Sequence, residues 1–407
     1  MSTHPVAAGG GNGGINCKRS APLWPNLPDD LLGKVLSRIV SPRDRARFAT
    51  VCGAWRAAAS RKPAPPVAPL LLLSSCGHSK TEHLCSPDDS WVFHSPSTAA
   101  NKRLVGSHDG GWVALLDTDN CVLAIVNLFS GDEVALSAEQ SNIASVWPHL
   151  QPEGVSKLIF SGNPASSDGC ILAAIVDGWL WITLCRVGCH DGRWTANCWD
   201  QGLIDIAFCN GDLYGLTRPS RELYKFEIGM EGDCTLVVTA SQRLSIQRPN
   251  ELTWNDGTKG GYMSYIFELQ GKTSMAVRTR WLPHLGPFFK VFELADMDAD
   301  EVYKHKWVEV ASFGGHALFI GPTRSKAVHV PVSAEHHGLE RNHVYYTKYT
   351  CSWLNSLPED ALYSVASDGG HIKMYSKKDQ HFGDSVERTG YYMEGCNYAT
   401  WVHPPDL

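Results

Sequence analysis

Much of what would mark an exported protein or a familiar enzyme is missing from this 407-residue sequence. No stretch approaches eighteen apolar residues, so no transmembrane helix is expected. The first twenty residues hold no apolar run, and Gly, Ser and Asn recur instead, so no secretory signal is expected. They hold no acid and only Lys18 and Arg19 as bases, too little arginine for a transit peptide. No glycine-rich loop follows a strand and opens a helix, which argues against a phosphate cradle. A Gly-x-Ser-x-Gly elbow is absent, and nothing orders the Ser, His and Asp residues into a triad. No cofactor and no catalytic residue is therefore assigned. Charged residues make up 19% of the chain and the net charge is −6, so by composition the whole protein is not a nucleic-acid binder.

Present instead is a hydrophobic fraction of 43%, enough to bury a large core in two or three domains. The 37 glycines and 14 tryptophans lean towards short strands joined by many turns. Thirteen cysteines are scattered singly, and without an exported context they are expected as buried thiols in a protein of the cytoplasm or nucleus.

Charge is unevenly placed. From Leu27 to Lys62, eight bases (Lys34, Arg38, Arg43, Arg45, Arg47, Arg56, Arg61, Lys62) face three acids (Asp29, Asp30, Asp44). That segment carries +5, which leaves −11 for the remainder. A basic module on an acidic body points to two jobs rather than one.

The same segment is patterned as helix. Leu31, Leu32, Val35, Leu36 and Ile39 form one stripe, with Asp29 and Asp30 at the positive end of the dipole. Ser41-Pro42 restarts the chain with a cap and a first-turn proline, and Asp44 follows three residues past the cap. Ala46, Ala49 and Phe48 turn inward on this second helix. Cys52-Gly53 breaks it, and Ala54–Ala59 forms a third around Trp55. Glycine-rich residues 1–22 read as a disordered tail, 23–62 as the helical module, and the proline-rich 63–69 as a semi-rigid linker.

From residue 70 to 407 the helical period disappears. Short apolar runs recur about every ten residues, each closed by Gly, Asp or Asn. Examples are Trp112–Leu116, Cys121–Asn127, Ile171–Val176, Leu203–Cys209 and Ala317–Ile320, with turn dipeptides such as Asn210-Gly211, Asp177-Gly178 and Asp368-Gly369. Fifteen or more strands with no interposed helices imply an all-β domain. A loose recurrence in residues 109–136, 209–228 and 367–376 favours a β-propeller, with a large sandwich or barrel as the alternative.

The stretch "LPDDLLGKVLSRIVSPRDRARFATVCGAWRAAA" closely resembles an F-box, on Leu27, Pro28, Leu31, Leu32, Val35, Leu36, Ile39, Asp44, Phe48, Val51, Cys52, Trp55 and Arg56. Arg45 and Ala46 depart from it, standing where many F-boxes have leucines. The remainder resembles a plant family in which a KIB-type β-propeller domain follows the F-box. The resemblance is carried by "LIDIAFCNGDLYGLT" (203–217), "FFKVFELADMDADEVYKHKWVEVASFGGHALFIGP" (288–322), "RNHVYYT" (341–347) and "WVHPPDL" (401–407). These resemblances imply a non-catalytic substrate-recognition subunit of an SCF-type ubiquitin ligase. The F-box would dock a Skp-type adaptor, and through it a cullin scaffold, while the propeller binds a protein substrate. The adaptor-binding residues implied are Leu27, Pro28, Leu31, Leu32, Val35, Leu36, Ile39, Val51, Cys52 and Trp55. The basic surplus suits an acidic adaptor. A ubiquitin-independent scaffold and, further off, a propeller enzyme are the alternatives.

Three clusters mimic metal sites. Cys185-x3-Cys189-His190 lacks a second pair at zinc spacing, and its cysteines are expected as strand thiols. His336-His337 sit in a polar loop. Asp296, Asp298, Asp300 and Glu301 start like a calcium loop but lack its glycine and distal glutamate, which leaves an acidic hairpin tip. Trp179, Trp181, Trp194 and Trp199 are expected in the propeller core. No metal is assigned.

Overall fold

The computed structural model describes residues 27–39, 42–61, 69–75, 82–85, 92–94, 102–117, 119–146, 150, 154–166, 168–176, 181–189, 191–198, 201–217, 220–232, 234–247, 263–278, 289–298, 302–330, 339–347, 363–367, 370–379, 388–393 and 396–404. Contacts divide the chain after Ala64 into a helical unit and a β unit. The expected tail (1–22), nearly all of the linker, His190, His336, His337, Asp300, Glu301, Trp179 and Trp199 lie outside the described residues.

The helical unit has three helices, α1 (Asp29–Leu36), α2 (Pro42–Thr50) and α3 (Gly53–Arg61). α1 opens where the Pro28 carbonyl accepts the Leu31 and Leu32 amides, both at 3.0 Å. It stops at Leu36, so Ile39 lies past its end, half-buried. The break before α3 falls at Val51 and Cys52, and Gly53 is already helical. Leu32, Leu36, Phe48 and Ala58 form the core, with Leu27, Ile39, Trp55 and Ala59 packed against it. The Phe48 and Trp55 rings lie 4.4 Å apart.

Six sheets are built from the described residues of the β unit. The first joins β1 (Leu70–Ser75), β2 (Glu82–Cys85) and β3 (Val92–His94) to the last strand, β26 (Cys396–Val402). Leu70 pairs Val402 and Leu72 pairs Thr400, so the two ends of the unit are hydrogen-bonded together. The second sheet holds β4 (Lys102–His108), β5 (Trp112–Asp117) and β6 (Leu123–Asn127). The third holds β7 (Lys157–Phe160), β8 (Cys170–Val176), β9 (Trp181–Val187) and β10 (Thr195–Cys198). The fourth holds β11 (Leu203–Cys209), β12 (Asp212–Thr217), β13 (Leu223–Glu231) and β14 (Thr235–Arg243). The fifth holds β15 (Ile246–Gln247), β16 (Met263–Leu269), β17 (Lys272–Arg278), β18 (Phe289–Asp296) and β19 (His305–Glu309). The sixth holds β20 (His316–Ile320), β21 (Lys326–His329), β22 (Val344–Thr347), β23 (Tyr363–Ser367), β24 (Gly370–Asp379) and β25 (Arg388–Met393).

Alternation along each strand explains the packing. In β5, Trp112, Ala114 and Leu116 enter one core with Leu158, Leu172 and Val176 of the third sheet. Val113 and Leu115 enter another with Leu70, Leu84 and Val402 of the first. Further cores lie between sheets three and four, four and five, and five and six. Between sheets six and one, Phe319 stacks on Tyr345 and meets Trp401 edge-on, while Trp401 Nε1 donates to the Ile320 carbonyl. Strands buried on both faces read as continuous apolar runs, and sheets that pack face to face in a closed succession form a β-propeller. Gly106 permits the close approach of β4 and β7, because a Cβ there would collide with the Leu158 carbonyl.

Two expectations are corrected. A short helix, α4 (Ala138–Ser141), interrupts the strands, nucleated by a capping box between Ser137 and Gln140. Gln140 Nε2 also donates to the Arg186 and Cys189 carbonyls, which anchors the helix on β9. Cys189 and Cys234 form a disulfide across 45 residues, so the cysteines are not all thiols. Cys121, Cys170, Cys185 and Cys209 are buried thiols.

Candidate functional site

The aliphatic stripe of α1 divides into two rows. Leu32 and Leu36 are wholly buried, whereas Leu31 and Val35, one helical turn apart, are each 40% exposed. Neighbouring residues on a helix differ by about 100° in direction, so a unit this small covers one row and leaves the other in solvent. Val51, between α2 and α3, is 53% exposed. Of the ten residues expected to bind an adaptor, Leu31, Val35, Val51 and Pro28 are exposed, and Leu27, Ile39, Cys52 and Trp55 are partly buried. Leu32 and Leu36 lie in the core of the unit with Phe48 and Ala58.

Arg45 belongs to the same unit. It is 8% exposed and donates through Nη1 to the Ile39 carbonyl at 3.4 Å. Burial lowers its pKa from the ordinary arginine value. A position that resembles a leucine site thus holds a guanidinium that satisfies the chain end leaving α1. Arg61 pairs with Asp29 at 3.0 Å and joins the end of α3 to the start of α1 on the surface.

In the β unit, charge is drawn inside at two places that sequence reasoning missed. Lys157 on β7 meets Asp205 on β11 at 2.5 Å, both nearly without solvent contact. Asp205 also accepts the amides of Ile206 (3.0 Å) and Ile266 (2.7 Å), so one carboxylate joins the third, fourth and fifth sheets. Burial pushes its pKa up, against the pull of Lys157 and the two amides. The second place gathers His108, Asp109, Arg324, Lys326 and His403. Asp109 Oδ1 accepts from Arg324 Nη2 at 2.8 Å and from Lys326 Nζ. Asp109 and its two cations sit on segments more than 200 positions apart, and no local pattern announces them.

A groove of about 380 Å³ opens at the fourth and fifth sheets, lined among others by Arg221, Arg243, Ile246, Tyr303 and Trp307. Arg243 pairs with Glu222 at 2.5 Å. Tyr303 and its neighbour Val302 are exposed, at 42% and 88%.

The metal-like clusters resolve differently. Cys185 is a buried thiol whose pKa burial pushes up to about 12, and Cys189 is in the disulfide. The run from Asp296 to His305 joins β18 and β19 of one hairpin, with Asp296 Oδ1 2.9 Å from His305 Nδ1. Among the described residues, no group of three or more His, Cys, Asp or Glu side chains is placed to hold a metal ion. Trp194 is fully buried and donates to the Gln140 carbonyl at 2.8 Å.

A helical module with a self-sufficient core and an open apolar row, followed by a β-propeller, is the architecture of an F-box protein. Residues 24–62 match the F-box-like family model, and residues 79–377 match the KIB1-4 beta-propeller model. The chain belongs to the KIB1-4 beta-propeller family. No curated protein matches it. Among solved structures, it is similar to BBS1N in complex with ARL6DN, at 9% identity and TM-score 0.30, over 56% of this chain and 63% of that one. It is also similar to KlHsv2 with a replaced loop, at 11% identity and TM-score 0.29, over 57% of this chain and 82% of that one. The dihydro-heme d1 dehydrogenase NirN is similar at 14% identity and TM-score 0.26, over 62% and 57%.

Proposed function

We propose that this chain is the substrate-recognition subunit of an SCF-type ubiquitin ligase. Its F-box docks a Skp-type adaptor, which connects to a cullin scaffold, and its propeller holds a protein substrate for ubiquitination. The chain itself performs no chemistry in this assignment. The observation that carries it is the open row of Leu31 and Val35, with Val51 also in solvent, although the core of the unit is complete. An isolated apolar side chain on a surface needs no explanation. Three large ones on a helical unit whose segment 27–62 carries +5 fit a face built for an acidic, partly apolar partner. Covering each such side chain contributes up to about 1.5–3 kcal/mol, and the basic rim chiefly accelerates association.

The test is binding of the full-length protein to a purified Skp-type adaptor. Saturable binding is expected, with affinity reduced at least tenfold by Leu31→Asp combined with Val35→Gln. No binding by the natural protein, or equal binding by the variant, would overturn the proposal.

A further inference from the structure

We propose that the outer edge of β14 and the groove beside it take an extended peptide segment that carries an acidic side chain next to an apolar one. This deepens the proposed function and rests on it for the peptide's role as part of the protein substrate.

The free edge follows from the register. Opposed residues of an antiparallel pair alternate between exchanging both backbone hydrogen bonds and exchanging none. The Leu244 amide donates to the Leu223 carbonyl at 2.9 Å, Tyr224 lies opposite Arg243, and Phe226 lies opposite Ser241. The pairs at Arg243 and Ser241 are therefore the ones that exchange none. The other side of β13 agrees. The Thr217 amide donates to the Glu222 carbonyl at 2.9 Å, and two residues further along each strand Gly215 opposes Tyr224, so Tyr224 spends its backbone groups on β12. The amides and carbonyls of Ser241 and Arg243 thus point away from the sheet, of which β14 is the last strand. Earlier in β14 this edge is in use, where Asn197 Oδ1 accepts the Val238 amide at 3.2 Å and Thr195 Oγ1 donates to the Leu236 carbonyl at 2.6 Å. From Thr239 to Arg243 every residue is exposed, and among the described residues nothing pairs with the Ser241 and Arg243 backbone. Such an edge matches the donor and acceptor spacing of an extended chain.

The strand runs straight into the groove, which Arg243 and Leu244 line together with Leu223, Ile246, Tyr303 and Trp307. Leu223 and Trp307 belong to the core between the fourth and fifth sheets, with Leu244 and Ile246 packed against it, so the floor is apolar and supported from below. The Ser245 carbonyl accepts the Lys304 and His305 amides, both at 3.1 Å, and Ser245 Oγ donates to the Val302 carbonyl at 3.4 Å. These bonds hold the exposed Val302 and Tyr303 beside the floor. An apolar side chain of a peptide on β14 would cover them.

Arg243 supplies the charge preference. Its side chain is 62% exposed, and Nη2 pairs with Glu222, whose own side chain is 16% exposed and lies behind it. Its remaining donors face solvent at the groove, where a peptide carboxylate would accept from them. The same arginine disfavours a second copy as occupant, because two such edges paired antiparallel would bring like charges together.

Random octapeptides, acetylated and amidated at their ends, are screened against the full-length protein, and the captured peptides are titrated calorimetrically. Saturable binding is expected, with Asp or Glu enriched next to an aliphatic or aromatic residue. Ser241→Pro removes an outward amide and no bond to β13, so the unfolding temperature should stay within a few degrees while binding weakens at least tenfold. Arg243→Gln should weaken the acidic peptides at least tenfold and their amide counterparts less than twofold. If no peptide saturates the protein, if both variants bind as the natural protein does, or if sedimentation shows a dimer that Ser241→Pro abolishes, the proposal is wrong. Adaptor binding is measured on the same samples. Adaptor binding without peptide capture defeats the groove alone, whereas peptide capture without adaptor binding supports the groove and defeats the ligase assignment.

Discussion

The helical unit completes its core with four side chains and leaves three large aliphatics in solvent. The β unit covers both faces of its central strands and draws an ion pair inside as well. In the helical unit, buried and exposed aliphatics are adjacent residues: Leu32 is wholly buried and Leu31 is 40% exposed. In the β unit, stability is shared by sheets that lean on each other, so a single buried group such as Asp205 answers to three of them. Helical substitutions should therefore separate folding from function, and central β substitutions should not.

The largest effect should come from unpairing the buried ion pair. Lys157→Met leaves the buried Asp205 carboxyl without its cation and should cost about 3–5 kcal/mol. Calorimetric unfolding would read this in the transition of the β unit, with the helical transition unmoved. Leu36→Ala should cost about 2–5 kcal/mol of helical stability, visible as loss of helical circular dichroism at lower temperature. An equal loss from Val35→Ala would erase the distinction between the two rows of α1.

Acid should act next. His108 and His403 are held neutral in the folded chain, so below about pH 6.5 the unfolded chain binds protons that the folded one does not, a window that reaches down to about pH 4 for His108. Stability is complete above that window and falls on acidification through it, by an amount on the order of 2–3 kcal/mol. Urea midpoints at pH 7 and pH 5 measure the difference, and His403→Phe should shrink it. The smallest effect belongs to Val35→Gln, which should stay within roughly 0.5 kcal/mol in stability.

What could be read beforehand follows the range of the forces involved. The strand positions were legible because burial on both faces writes continuous apolar runs, and Leu203–Cys209 coincides with β11. The Asn210-Gly211 turn was legible because both residues adopt positive φ, 52° and 82°, which the dipeptide tolerates. The exposed row of α1 was half legible. Helical spacing marked the stripe, but whether Leu31 or Leu32 faced inward depended on where Phe48 and Ala58 packed. The capping box of α4 was present in Ser137 and Gln140 but too short to stand out among strands. Arg45, the Cys189–Cys234 pairing, the Lys157–Asp205 pair and the Arg324 junction were not legible, since each depends on distant segments meeting in the fold.

The most direct measurement pairs adaptor affinity with unfolding temperature for the Leu31→Asp/Val35→Gln variant. Asp at position 31 sits in the first turn of α1, where the helix dipole tolerates it. The expected result is an unfolding temperature within a few degrees of the natural protein and an adaptor affinity at least tenfold lower. Unchanged affinity for the adaptor, with the fold intact, would contradict the assignment of the open row as the docking face.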